Sequence, residues 1–106
     1  MGSSRIETLR AMVVRDPGNA AARYGLASEL VKAGQYEEAR AALLDYLKMH
    51  DDEGAAYRLL ALANEKSGRL DEAREAYRRG IEVAERHGHW GMADEYRVKL
   101  EDLEGE

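Results

Sequence analysis

Few residues in this chain are of a type and spacing that could do chemistry. Two imidazoles straddle one glycine in His87-Gly88-His89-Trp90, and a third, His50, lies far upstream. Imidazole nitrogens hold zinc only where three or four ligands converge in fixed geometry. A doublet with no evident third ligand reads instead as a solvated turn, with Gly88 stopping a helix. Trp90 beside it either staples the last helix to its neighbour, which is the stronger reading, or stands exposed as a partner anchor. Cysteine is absent, which removes thiolate ligands, thiol nucleophiles and disulfides, and agrees with a reducing cytoplasm. No glycine loop of phosphate-cradling spacing, no Ser/His/Asp order and no carboxylate pair in an evident pocket is present. The expectation is therefore a protein without catalysis, metal or cofactor.

The remaining ionic chemistry is that of a surface. There are 21 Asp and Glu against 16 Lys and Arg, interleaved, for a net charge of −5. Nucleic acid requires a basic stripe to neutralise its phosphates, so it is not the expected partner. Glu75/Arg79, Glu82/Arg86 and Glu95/Lys99 stand four apart in the favourable order, an arrangement expected to support each helix by ~0.2–0.5 kcal/mol. No apolar run nears the ~20 residues of a membrane-spanning helix. The opening MGSSRIETLR lacks an apolar signal-peptide centre, and Ile6 occupies the place of a myristoylation Ser or Thr. These features point to a cytoplasmic location without membrane contact.

The elements that must carry these residues are helices. Ala, Leu, Glu and Arg abound, with one proline and no phenylalanine. The phrase GQYEEARAAL at Gly34–Leu43 returns as GRLDEAREAY at Gly68–Tyr77, 34 residues later. Without a gap, Ala20–Glu53 aligns on Gly54–His87 with ten identities, including Leu26/Leu60, Ala27/Ala61, Gly34/Gly68 and Ala39/Ala73. Chance in an alanine-rich chain gives roughly two to four. In each unit apolar residues recur every three or four positions, a glycine breaks the pattern, and the pattern resumes. Each unit is a helix–turn–helix too small to bury its own apolar face without a neighbour.

With these residues the chain resembles the tetratricopeptide repeat (TPR) family. Leu26-Ala27 and Leu60-Ala61 match its leucine and small residue in the first helix. Gly34 and Gly68 match the turn, Ala39 and Ala73 the close helix crossing, and Tyr77 the aromatic of the second helix, where Leu43 substitutes. The chain departs from the pattern at Arg23 and Tyr57, at Leu30 and Asn64, and at Tyr46, which stands where the second unit has Gly80. The repeat-ending proline survives only as Pro17; Asp51 and Glu85 take its other places. The expected fold is all-α, a right-handed superhelix of antiparallel hairpins with about six helices. Its organisation is a half-repeat helix over 5–15, repeats over 20–53 and 54–87, and a capping helix over 90–104. Leu9 and Met12 fall on the inner face of the first helix, and Asn19 is placed to cap the second. On the last helix Ala93, Tyr96, Leu100 and Leu103 form one apolar stripe.

The resemblance implies a concave wall built from the first helix of each repeat. Ala21, Tyr24, Ser28, Val31 and Lys32 would line it from the first unit, and Ala55, Arg58, Leu62, Glu65 and Lys66 from the second. A Tyr–Arg–Leu surface suits a short peptide or amphipathic helix, with Arg58 for a carboxylate, unless Arg58 pairs with Glu65 or another acid. The lysine and asparagine by which TPR co-chaperones grip a C-terminal carboxylate are replaced by Tyr24 and Ser28, so that mode of binding is not expected. The expected function is protein or peptide binding by Tyr24, Ser28, Lys32, Arg58, Leu62 and Glu65, as an adaptor or scaffold. The alternative is self-association through the terminal helices, with Ile6, Val13 and Val14 as an exposed docking edge.

Overall fold

The computed structural model describes the backbone of residues 2–105 and the side chains of residues 5–105. Six α-helices and no strand occur among them: α1 (Gly2–Arg15), α2 (Ala20–Lys32), α3 (Tyr36–Met49), α4 (Ala55–Lys66), α5 (Leu70–Arg86) and α6 (Trp90–Glu104). Consecutive helices pack as antiparallel hairpins, and α4 also touches α2 across the repeat boundary. The resulting stack is elongated, 40 × 28 × 21 Å.

Local sequence explains the corners. Asn19 caps α2, its Oδ1 accepting from the Ala22 N–H at 3.0 Å. At Gly34 (φ 76°) and Gly68 (φ 78°) the chain enters the left-handed region that glycine adopts without steric cost. The following amides, Gln35 N and Arg69 N, then bond back to Leu30 O and Asn64 O at 2.9 and 2.8 Å, closing the helix ends. The repeated glycine is thus the geometric origin of the 34-residue turn. The start of α4 has a different device. Asp52 Oδ2 accepts from Gly54 N at 2.8 Å and Ala56 N at 2.9 Å, while its Oδ1 accepts from the Tyr46 hydroxyl at 3.2 Å.

The core runs between the hairpins. Ala27, Leu43, Ala61, Ala73 and Tyr96 are wholly buried, and Ala39 is buried in a second cluster with Leu30, Val31, Ala63 and Ile6. Alanine at these crossings lets helix axes approach to ~8–10 Å. Tyr96 of α6 fills the space over Gly80 and donates from its hydroxyl to Gly54 O at 2.8 Å. One residue therefore ties the last helix to α5 and to the α3–α4 corner.

Four expectations fail in detail. Ile6 is buried under α2 and α3 rather than exposed, so only Val14, 80% exposed, remains of the proposed α1 edge. Val31 also lies in the core, not on the wall. Trp90 packs little, being 61% exposed at the first residue of α6, and the helix is anchored instead through the buried Ala93, Tyr96 and Leu103. The i,i+4 pairs do not form: Glu75 pairs with Arg78, and Glu95 reaches across to Arg58.

Candidate protein-interaction site

The six residues expected from the sequence to meet a partner occupy two helices that touch. Tyr24, Ser28 and Lys32, four residues apart, form one stripe of α2, and Arg58, Leu62 and Glu65 form the matching stripe of α4. Arg58 extends the surface onto α6, its Nη2 lying 3.5 Å from Glu95 Oε1. The acid that faces Arg58 is thus Glu95 of α6, not Glu65 of its own helix. The register slip before α6 hides that partner from repeat alignment.

Tyr24 is half-buried and meets Tyr46 edge to face, ring centroids 5.6 Å apart. Burial pushes its phenol above the ordinary value of 10.0; Asp52 adds to the push and the nearby Arg58 guanidinium opposes it. Tyr24 and Arg58 therefore share one electrostatic neighbourhood at the centre of the α2–α4–α6 wall. Tyr96 lies beneath it: burial raises its phenol to about 12, and Arg58 acts against that shift. The Arg58 guanidinium is about half exposed, and its link to Glu95 is a surface pair of the kind worth ~0–1 kcal/mol, easily exchanged for a ligand carboxylate.

The outer members are placed less centrally. Lys32 Nζ is 3.2 Å from Glu29 Oε2, and Glu29 also meets Arg5 Nε at 3.4 Å. Ser28 is half-buried. Leu62 is half-buried, packed against the cluster of Ile6 and Leu30. Glu65 is half-buried, close enough for its charge to raise the Tyr77 phenol, after burial the largest contributor. The wall thus has Tyr24 and Arg58 near its centre and a mixed-charge rim.

The histidines lie elsewhere. His89 Nε2 is 2.8 Å from Glu53 Oε1, and His87 Nδ1 is 3.9 Å from the same atom, so both rings lean on the α3–α4 corner. Hydrogen bonding from His89 holds the Glu53 carboxyl below the usual carboxylate range, with His87 and His89 charge adding to it. Among the described residues no group of three His, Cys, Asp or Glu stands in metal-holding geometry.

The profile of the family described as Tetratricopeptide repeat matches residues 24–86, more than half of the chain. The chain belongs to the tetratricopeptide repeat family. It is similar to the TPR repeat-containing protein PA0015 of Pseudomonas aeruginosa, 31% identical over 99 residues that cover 93% of this chain and 94% of that one. Among solved structures it resembles protein BPP2914 from Bordetella parapertussis (TM-score 0.80, 24% identity, covering 92% of this chain and 85% of that one). A second, titled MamA RS-1 ArsTM double mutant, superposes with TM-score 0.74 at 20% identity, covering 97% of this chain and 66% of that one. At these identities both likenesses speak for the fold. TPR proteins are generally protein-interaction modules, and no helix among the described residues is long and apolar enough to cross a membrane.

Proposed function

We propose that this TPR chain is a non-catalytic adaptor of the cytoplasm that binds a peptide or helix of a protein partner along the α2–α4–α6 wall. The observation that carries the reading is the convergence of Tyr24, Arg58, Glu95 and Tyr96 from three helices at one point. A half-exposed guanidinium stands there 3.5 Å from the Glu95 carboxylate, close enough for its charge to act on the Tyr24 and Tyr96 phenols. Arg58 takes a carboxylate or a backbone carbonyl of the partner, Tyr24 and Leu62 supply apolar contact, and Ser28, Lys32 and Glu65 set orientation at the rim.

The test is partner capture from native extract followed by titration of the captured protein against variants. Tyr24→Ala removes a packed ring, so the informative set is Arg58→Glu, Lys32→Glu and Tyr24→Phe, checked for unchanged helicity. Arg58→Glu should weaken binding ~10-fold or more. Equal affinity in all three variants rejects the wall as the site. Self-association is the second reading, favoured by Val14 at one end of the stack and Trp90 and Val98 (58% exposed) at the other. Light scattering over a concentration series decides it, because a strict monomer removes it.

A further inference from the structure

The stack has another face, and its chemistry differs from that of the wall. Helices α3 and α5 both pack on α4 and meet each other through the Arg40–Glu72 pair, which leaves a groove between them. Two clefts of about 380 and 360 Å³ open along it and share Leu47, Tyr57 and Arg79, so they form one continuous trough. Its upper floor is apolar, made by Leu44, Leu47, Tyr57 and Leu60. On α4, Tyr57, Leu60 and Asn64 sit about 130° around the helix from Arg58, Leu62 and Glu65, so the trough opens on a different face from the α2–α4–α6 wall.

The charges along this trough are unevenly committed. Of the four acids lining it, Asp52 is occupied in capping α4, Glu72 holds Arg40 and Arg69, and Glu75 holds Arg78, which leaves Asp51 as the one acid of the four without a partner among the described residues. Lys48 of α3 and Arg79 and Arg86 of α5 line the trough, yet carry no ion pair or side-chain hydrogen bond among the described residues. Arg79 and Arg86 are seven residues apart, two helical turns or about 10 Å along one side. His50, in the lower half, holds its Nε2 buried with no protein partner. On a chain of net charge −5, three uncommitted cations against the single uncommitted Asp51, around an apolar floor, form a local exception.

We infer that the α3–α5 trough is a second docking surface, which takes an acidic, leucine-bearing segment of a partner protein. The trough is too small for a whole helix, ~10–12 Å across, so it receives apolar side chains while carboxylates on the same segment meet Lys48, Arg79 and Arg86. This surface and the wall can be occupied together, which would let one TPR module join two proteins.

The probe is a fluorescein-labelled peptide of Glu-Glu-Leu-Leu repeats, with a Lys-Lys-Leu-Leu peptide as its charge-inverted counterpart, read by anisotropy against the full chain. The acidic peptide should bind, weaken with rising salt, and lose ~10-fold or more in affinity in the triple variant K48E/R79E/R86E. Should that variant lose helicity, Arg79→Glu alone should still weaken binding ~3-fold. Arg58→Glu, on the other face, should leave the peptide's affinity unchanged, so failure here is separable from failure of the wall. No binding at about 1 mM peptide, equal binding of the lysine peptide, or unchanged affinity in the charge-reversal variants overturns the proposal. A dimer in light scattering that K48E/R79E/R86E dissolves also overturns it, making a second copy of the chain the occupant.

Discussion

Replacing Gly80 by alanine isolates the close approach of α5, α4 and α6. A Cβ built there would lie 2.8 Å from Tyr96 Cδ2 and Cε2 and 2.9 Å from Tyr57 Cβ. Carbon atoms prefer ~3.5–4.0 Å, so three contacts are each too short by roughly 0.6–1.2 Å. Tyr96 cannot easily retreat, because it is wholly buried, lies against Tyr77 at 5.8 Å, and bonds to Gly54 O at 2.8 Å. Overpacking of this kind costs ~1–3 kcal/mol, whereas alanine's helix propensity returns ~1 kcal/mol. The net expectation is a loss centred on ~1 kcal/mol, or ~4–8 °C in Tm for a domain of this size. Gly91, in α6 with no atom within 4 Å of the added Cβ, is the matched control. There Gly91→Ala should stabilise by ~0.5 kcal/mol. Urea and thermal unfolding followed by far-UV circular dichroism give both values. A Gly80→Ala protein as stable as wild type would show that the crossing is not tightly packed and would refute the reasoning.

Other substitutions probe other joints. Asp52→Ala removes the cap of α4 and the partner of the Tyr46 hydroxyl, and should cost ~1–2 kcal/mol in the same unfolding assay. Tyr96→Phe should cost ~1 kcal/mol at neutral pH through the lost bond to Gly54 O. Burial raises the Tyr46 and Tyr96 phenols from 10.0 to about 12. Below pH 10 folded and unfolded chains both keep these protons; above it only the unfolded chain sheds them, so stability falls as pH rises from 10 towards 12. Tyr96→Phe should flatten that alkaline decline, as measured by Tm between pH 8 and 11.5.

The helices were legible because a single register repeats them: Gly34 and Gly68 mark both first-helix ends, and Ala39 and Ala73 both crossings. The last helix was legible from its apolar stripe of Ala93, Tyr96 and Leu103. What escaped depends on contacts across hairpins. Asp52 has no counterpart cap one period later, where Arg86 stands, so the repeat could not announce it. Glu95 stands beyond the break in register, so pairing it with Arg58 needed coordinates. Val31 and Ile6 are expected on open faces, yet Ile6 shares one stripe of α1 with Leu9 and Val13, and α2 buries Val31 as well as Leu30. The α3–α5 trough arises from two helices resting on a third, which no single stretch of sequence encodes.

The account's functional claim is tested most directly by hydrogen exchange on the chain with and without its captured partner. Protection on binding should concentrate in peptides carrying Tyr24 and Ser28 of α2 and Arg58 and Leu62 of α4, and Arg58→Glu should erase it. Protection confined to α1 or to the exposed ends of the stack, with α2 and α4 unchanged, would contradict the assignment of the wall.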